Sequence, residues 1–112
     1  MNKPATAEQL ALDILHRSIC RVRVGAVLAD KKGIFAWGWN HPGFDGFGMH
    51  AEIHAVSRGN PKRFAGSTIY VAGLHSKTGK HVPALPCDAC RPVLDNLGIA
   101  VVYFNRDEWI NG

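Results

Sequence analysis

Two periods of apolar residues alternate along the chain, one typical of helices and one typical of strands. The helical period marks three segments, at residues 6–16, 50–58 and 86–97. The strand period, or a run of β-branched residues, marks four segments, at residues 22–28, 34–39, 68–72 and 99–104. Thr6 and Gln9 have the spacing of a capping box, and Gly98 stands where the third helix needs a C-cap. The pattern therefore predicts helices interleaved with strands.

The order of these segments predicts an α/β fold. The first two strands flank a turn at residues 30–33 and form an antiparallel hairpin, while helices separate the later strands and imply crossover connections. We expect a three-layer α-β-α arrangement whose central mixed sheet has about four to five strands and begins with that hairpin. With 112 residues, of which 46% are hydrophobic, the chain is sized for one domain covering residues 1–112. The polar segment at residues 74–85 is long for a loop and is expected to form a hairpin or a lid.

Composition narrows the partners and the compartment. The formal net charge of +4 favours anionic partners such as nucleotides or nucleic acid without requiring them. A stretch of eighteen apolar residues and a secretory h-region are both missing from the sequence, so we expect no secretion signal and no membrane span. We expect a cytoplasmic protein because its cysteines include a pair of the kind that reducing compartments use. The 3 cysteines include a C-x-x-C pair, Cys87 and Cys90, which in a reducing compartment indicates metal or redox chemistry.

Two short motifs carry side chains suited to a metal ion. Cys87 and Cys90 have a spacing at which both sulfurs reach one metal from the first turn of a helix. The nitrogen ligand must come from elsewhere, and His50 stands at the start of the second helix. Because His50 and Glu52 are two residues apart, they converge only where the end of the helix faces the metal. Three protein ligands would leave a coordination position for water, which a nearby carboxylate can deprotonate.

Two other interpretations of these residues stay open. His54, four residues after His50, would complete a closed Cys₂His₂ structural site with no position for water. The C-x-x-C pair is also typical of redox proteins. The open metal site is favoured because a closed site leaves Glu52 and Pro86 unexplained.

The sequence H-A-E at residues 50–52, followed by P-C-D-A-C at residues 86–90, resembles the signature of the zinc-dependent cytidine and deoxycytidylate deaminase superfamily. The resemblance extends over residues 24–104, and its order of hairpin, loop, zinc helix, strand, second zinc helix and strand agrees with the order predicted above. Either motif alone is a weak signal, whereas the two together are a strong one.

The resemblance implies a role for each residue of the two motifs. His50, Cys87 and Cys90 would bind Zn²⁺, which activates a water for attack on the amino-bearing carbon of a nucleobase. Glu52 would not bind the metal but would carry protons to the ring nitrogen and to the departing amine. The backbone amide of Ala51 would hold the polar edge of the base.

The resemblance also nominates contacts to the substrate. The sequence W-N-H-P at residues 39–42 is similar to a loop of tRNA adenosine and nucleotide deaminases that contributes an asparagine to the sugar, which nominates Asn40. An asparagine before His-Pro-Gly is equally suited to local turn hydrogen bonds. Trp39, His41 and Phe44 would wall the base by stacking.

The function implied is zinc-dependent hydrolytic deamination of a free nucleoside or nucleotide. The expected reaction converts cytidine or deoxycytidine, or their monophosphates, to the uridine form and releases ammonia. Two alternatives remain, a deaminase acting on cytosine or adenine in single-stranded nucleic acid or tRNA, and a non-catalytic binding module that zinc stabilises. By the same resemblance the protein is expected to form a homo-oligomer.

Overall fold

The computed structural model describes residues 6–42 and 50–112, in which three α-helices pack on a six-stranded sheet. The helices are α1 (Ala7–Ile14), α2 (Ala51–Arg58) and α3 (Arg91–Asn96). The strands are β1 (Val22–Asp30), β2 (Gly33–Trp39), β3 (Thr68–His75), β4 (His81–Val82), β5 (Ala100–Asn105) and β6 (Glu108–Asn111). Short 3₁₀ turns follow α1 at Leu15–Arg17 and α2 at Pro61–Arg63. None of these helices is long and apolar enough to cross a membrane.

The sheet is mixed and has the strand order β2-β1-β3-β5-β6. β1 pairs antiparallel with β2 and β3, β3 pairs parallel with β5, and β5 pairs antiparallel with β6. β4 forms a hairpin with the last part of β3, beyond the stretch of β3 that pairs with β5. The mixed sheet and its hairpin start confirm the predicted fold class.

Two short strands raise the strand number to six, against the four to five expected. β4 has 2 residues and β6 has 4, so neither is long enough to show a strand period in the sequence. A tight turn with Arg106 at φ 69° folds β6 back onto β5, which the pattern at residues 99–104 had suggested to be the last strand.

The helices cover both faces of the sheet and bury a separate core on each. Under α1, the fully buried side chains include Leu15, Val27 and Ala72. On the opposite face, under α2 and α3, the buried core includes Leu28, Leu94, and Ile69 and Val71 of β3. The α-β-α layering follows from this division.

Helix α2 lies directly on the backbone of β2. A Cβ atom added at Gly38 would lie 2.5 Å from the backbone nitrogen of Ala55 and 2.8 Å from the carbonyl oxygen of Ala51. No side chain fits in that space, because both neighbours are helix backbone that cannot turn away. The glycine therefore lets the first turn of α2 settle on the sheet and fixes where the start of the helix points.

The third helix begins later than the sequence predicts. Cys87 to Cys90 form a turn, in which the backbone N–H groups of Cys90 and Arg91 both donate to the carbonyl oxygen of Cys87 at 3.0 Å. Pro92 has no N–H to donate to Asp88, which interrupts the helical ladder at this point. The expectation that the cysteine pair lies within the first turn of a helix is wrong by these few residues, and α3 starts at Arg91.

Candidate metal centre and adjoining pocket

One histidine and two cysteines lie together where the start of α2 contacts the turn before α3. The Nδ1 atom of His50 lies 3.3 Å from the Sγ atom of Cys87 and 3.2 Å from the Sγ atom of Cys90. His50 is the N-cap residue of α2 and has extended backbone angles, so its ring projects from the end of the helix. Cys90 is buried, whereas His50 and Cys87 are exposed. Their three ligand atoms lie within 4.8 Å of one another, and in the described ranges no other such group of residues forms.

This donor set fits zinc. In a tetrahedral site with Zn–S bonds of about 2.3 Å and Zn–N bonds of about 2.0 Å, the distance between nitrogen and sulfur is roughly 3.5 Å. The observed distances are a few tenths of an ångström shorter. Burial, together with the nearby charge of Glu52 and the Cys87 thiol, raises the pKa of the Cys90 thiol to about 12. A bound cation is therefore needed to hold Cys90 as the thiolate that zinc prefers.

Glu52 lies in the first turn of α2 beside the ligand group. Its side chain is only 5% exposed. Burial raises the pKa of the Glu52 carboxyl, and its own backbone N–H and the charge of His50 offset part of this effect. A carboxyl group with a raised pKa next to three metal ligands is suited to accepting and donating a proton.

An open pocket of about 240 Å³ adjoins the ligand group. Of the residues singled out from the sequence, five line it: Asn40, His50, Ala51, Glu52 and Cys87. The remaining lining comes from the start of β1, the end of β3, β4 and the segment after β4, namely Val22, Val24, Gly73 and residues 82–85. These mostly apolar walls were not identified from the sequence, because they are brought together by pairing between segments far apart in the chain.

The side-chain amide of Asn40 extends the sheet beyond the end of β2. Its Oδ1 atom accepts from the backbone N–H of Val24 at 2.8 Å, and its Nδ2 atom donates to the carbonyl oxygen of Val22 at 2.8 Å. The amide thus occupies two backbone groups of β1, at the two valines that line the pocket. These bonds reach the neighbouring strand and are not the local turn hydrogen bonds that were the alternative to a sugar contact. A second amide hydrogen is left to reach the pocket.

Trp39 and His41 belong to a second cluster, centred on His54. The Nδ1 atom of His54 accepts the backbone N–H of Trp39 at 3.1 Å and lies 3.2 Å from the Nε2 atom of His41. The ring centroids of Trp39 and His54 are 4.8 Å apart. Neither Trp39 nor His41 is part of the pocket lining among residues 6–42 and 50–112. Phe44, the other residue expected to stack on the base, lies outside the described residues.

His54 is not a member of the ligand group formed by His50, Cys87 and Cys90. Its Nδ1 atom is occupied by the hydrogen bond from Trp39. The structure therefore does not support a closed Cys₂His₂ site. Both sulfurs of the C-x-x-C pair are free thiols that lie against the His50 ring, an arrangement suited to metal binding.

The fold and the ligand group together define a class of metal-binding α/β protein, and comparison with known proteins gives its family. The family model described as "Cytidine and deoxycytidylate deaminase zinc-binding region" matches residues 1–106. The chain belongs to this family. Zinc is accordingly its cofactor, and His50, Cys87 and Cys90 are positioned to bind the ion.

Solved structures support the assignment. A cytidine deaminase from Burkholderia pseudomallei is 25% identical with a TM-score of 0.74, and the match covers 95% of this chain and 88% of that chain. A dCMP deaminase from the cyanophage S-TIM5 is 26% identical with a TM-score of 0.68, covering 88% of this chain and 79% of that chain. RibD from Acinetobacter baumannii, 22% identical with a TM-score of 0.60, shares the fold over 86% of this chain and 26% of its own. No curated protein sequence matches the chain.

Proposed function

We propose that the protein is a zinc-dependent hydrolytic deaminase that converts the cytosine of a free nucleoside or nucleotide to uracil and releases ammonia. The observation that carries the proposal is the position of Glu52, a buried carboxyl that lines the same pocket as His50 and Cys87. Burying an ionisable carboxyl costs free energy, and the packing contacts of the side chain would not offset that cost. A purely structural zinc site therefore gives no reason for a buried carboxyl at this position.

The reaction needs a group that carries protons, and Glu52 is placed to do so. When bound, zinc acts as a Lewis acid that makes water a nucleophile at neutral pH. Hydrolysis breaks the bond between carbon and the amino group and forms a carbonyl, so the ring nitrogen and the leaving amine each need a proton. The attacking water supplies both protons, the first when it adds to the ring and the second when the carbonyl forms. Glu52 would take each in turn and deliver the first to the ring nitrogen and the second to the leaving amine. It is the one carboxylic acid among the described residues of the pocket lining.

The start of α2 supplies a donor for the polar edge of the base. Ala51 is the first residue of the helix, and the first N–H groups of a helix have no acceptor within it. Ala51 lines the pocket next to Glu52, so its N–H can donate to a carbonyl oxygen of the base. The apolar side chains of Val22, Val24 and Leu85 would pack against the faces of the base.

A free substrate and cytosine are favoured by the two relatives with the highest identity given above. One is a cytidine deaminase and the other a dCMP deaminase, and both align with most of this chain. The pocket of about 240 Å³ has room for a base with part of its sugar. A homo-oligomer stays a prediction from the sequence.

A substrate panel tests the proposal. Protein loaded with one equivalent of zinc is incubated with cytidine, deoxycytidine, their monophosphates, adenosine, guanosine and single-stranded oligonucleotides. Released ammonia and the absorbance change of the base are measured. We expect turnover of at least one free cytosine nucleoside or nucleotide. Turnover of the oligonucleotides alone, or of no compound, would overturn the proposal.

Substitution of the proton carrier separates catalysis from zinc binding. We expect Glu52→Gln to lower kcat by about 10²–10⁴-fold while the protein keeps its zinc, because the amide cannot carry a proton. Glu108→Gln, at an exposed glutamate on β6, is the matched control and should retain activity. A Glu52→Gln protein with the activity of the control would contradict the mechanism.

A further inference from the structure

The register of the sheet arranges the pocket floor in rows. Val24 pairs with Gly73, and Gly73 pairs with Val82, so these three residues form one row across β1, β3 and β4. All three line the pocket. Side chains two residues apart on a strand point to the same face of the sheet. The next row on the pocket face is therefore found two residues further along each strand.

That next row is polar at two of its three positions. It consists of Val22, which pairs with His75, and of Lys80, whose carbonyl oxygen accepts the backbone N–H of His75 at 2.9 Å. Val22 itself lines the pocket. At about 3.3 Å per residue, the second row lies roughly 7 Å beyond the first, at the rim of the pocket. His75 and Lys80 thus stand at the rim, on the face that the substrate would occupy.

The turn that carries Lys80 is held in place by its own hydrogen bonds. The N–H of Ser76 donates to the carbonyl oxygen of Arg21 at 2.9 Å, which ties the turn to the start of β1. The N–H of Gly79 donates to the carbonyl oxygen of His75 at 2.9 Å, and the N–H of Lys80 donates to the Oγ1 atom of Thr78 at 3.2 Å. The rim is therefore formed before any ligand binds, which lowers the entropy that binding would cost.

The groups at this rim have donors to spare. The Nδ1 atom of His75 is buried and has no hydrogen-bond partner within the described part of the chain, so His75 would meet a ligand at the rim through its other ring nitrogen, Nε2. Lys80 and the neighbouring Lys77 are exposed, and neither belongs to the ion pairs found there, which are Arg63–Asp30 and Arg91–Asp95.

The segments that form the rim carry no acidic residue of their own, and Glu52 is the carboxylate of the adjoining pocket lining. The two segments that build the rim lie within residues 14–29 and 53–87, and neither of these stretches contains an aspartate or a glutamate. Cations at the mouth of a cleft attract anionic ligands and favour their bound state.

We infer that the rim formed by His75 and Lys80 binds a phosphate group of the substrate, so that the enzyme acts on a nucleotide in preference to a neutral nucleoside. The inference rests on the proposed deaminase function and names its substrate class. The base would lie over the first row, next to Glu52, and the phosphate would lie over the second row. Lys80 contributes a charge-assisted hydrogen bond to the phosphate, which a nucleoside lacks.

Two ligands that differ only in the phosphate provide the test. With the zinc-loaded protein, kcat/KM is measured for CMP and cytidine, and for dCMP and deoxycytidine, and the affinities of CMP and cytidine are measured by calorimetry. We expect at least one nucleotide to exceed its nucleoside by about tenfold or more in kcat/KM, as for one charge-assisted hydrogen bond. Equal values for each nucleotide and its nucleoside, or a preference for the nucleosides, would overturn the inference while leaving deamination intact.

Matched lysine variants place the phosphate on this rim. Lys80→Gln should lower the ratio of the nucleotide to the nucleoside kcat/KM about tenfold. Lys31→Gln removes the same charge from an exposed lysine at the opposite end of β1 and should keep the ratio. Equal ratios in Lys80→Gln and Lys31→Gln would overturn the assignment of Lys80. If no compound is deaminated, tighter binding of CMP than of cytidine that Lys80→Gln abolishes would uphold the phosphate site while the proposed reaction fails.

Discussion

Helix α2 carries two histidines one turn apart that enter opposite chemical surroundings. His50, at the N-cap, faces the sulfurs of Cys87 and Cys90. His54, whose backbone N–H donates to the carbonyl oxygen of His50 at 2.9 Å, faces Trp39 and His41. Positive charge lies near this second imidazole, because the guanidinium groups of Arg17 and Arg58 lie 5.2 Å and 5.9 Å from the centre of the Trp39 ring.

The difference shows that position relative to the helix end decides what an imidazole does. His50 precedes the first residue of α2, so its ring is free to turn towards the two cysteines of another segment. Within the helix, the His54 ring is held by the hydrogen bond from the Trp39 backbone. Burial lowers the pKa of His54, and the charges of His41 and Arg58 lower it further. His54 therefore stays neutral and serves as a hydrogen-bond acceptor, while His50 is positioned to bind a metal ion.

Removing a sulfur should have the largest effect on the metal side of this comparison. Cys90→Ser replaces a buried thiol ligand with a hydroxyl that binds zinc poorly, so we expect the zinc affinity to fall by more than about 100-fold. Competition with a chromophoric chelator measures the loss. Cys20→Ser, which changes a thiol outside the ligand group, should keep the wild-type affinity. Zinc binding by Cys90→Ser at the level of Cys20→Ser would contradict the assignment.

Removing the second imidazole should cost stability and leave the metal in place. His54→Phe keeps a ring but leaves the backbone N–H of Trp39 without its acceptor, and we expect the free energy of unfolding to fall by about 1–3 kcal/mol. Urea unfolding of the zinc-free protein measures this. Zinc stoichiometry should remain one per chain in His54→Phe and be lost in His50→Ala. Loss of zinc from both variants would contradict the distinction between the two histidines.

The sequence could predict the metal side of the comparison but not the other. The ligand residues and Glu52 lie in short motifs at the start of α2 or just before α3, so local spacing alone limits where they point. Trp39 was grouped with Asn40 as a substrate contact, although neighbouring residues on a strand face opposite sides. The structure places Trp39 against the core under α1 and Asn40 at the pocket.

The pocket walls could not be predicted because they depend on pairing across long sequence separations. Val24 and Val82 come together only through Gly73, which pairs with both. The short strands β4 and β6 leave no period in the sequence and form because a turn returns the chain to an existing strand. The order of the longer strands and helices was predictable because each has its own hydrophobic period.

Zinc binding should be coupled to proton release at the thiols. Because the pKa of Cys90 is raised to about 12 in the metal-free protein, its proton must leave when the ion binds at neutral pH. The apparent zinc affinity should therefore rise about tenfold per pH unit for each thiol proton displaced. Calorimetry in buffers with different ionisation enthalpies counts the protons. A zinc affinity independent of pH between 6 and 8, or a count of zero protons, would contradict the burial of a neutral Cys90.

The smallest expected effect concerns stability at mildly acidic pH. The pKa of His54 is lowered in the folded protein from its ordinary value of 6.5, so in this window the unfolded chain binds more protons than the folded one. The contribution of His54 to stability is thus present above pH 6.5 and declines as the pH falls towards the folded pKa. Urea unfolding of the zinc-free protein against pH measures the slope. His54→Phe should flatten it between pH 5 and 7, and an unchanged slope would contradict a neutral His54.

The contact of α2 with Gly38 has a consequence for how this scaffold acquires new substrates. With helix backbone 2.5 Å from where a methyl group would begin, any side chain at this position pushes α2 outwards and carries His50 and Glu52 with it. A substitution at Gly38 therefore cannot change the shape of the pocket without also displacing His50 and Glu52. The hairpin side, where exposed Leu85 and the short β4 border the opening, has no such constraint. Substitutions that change substrate choice should therefore concentrate on the side of the pocket formed by β4 and Leu85, while the side formed by the start of α2 stays unchanged.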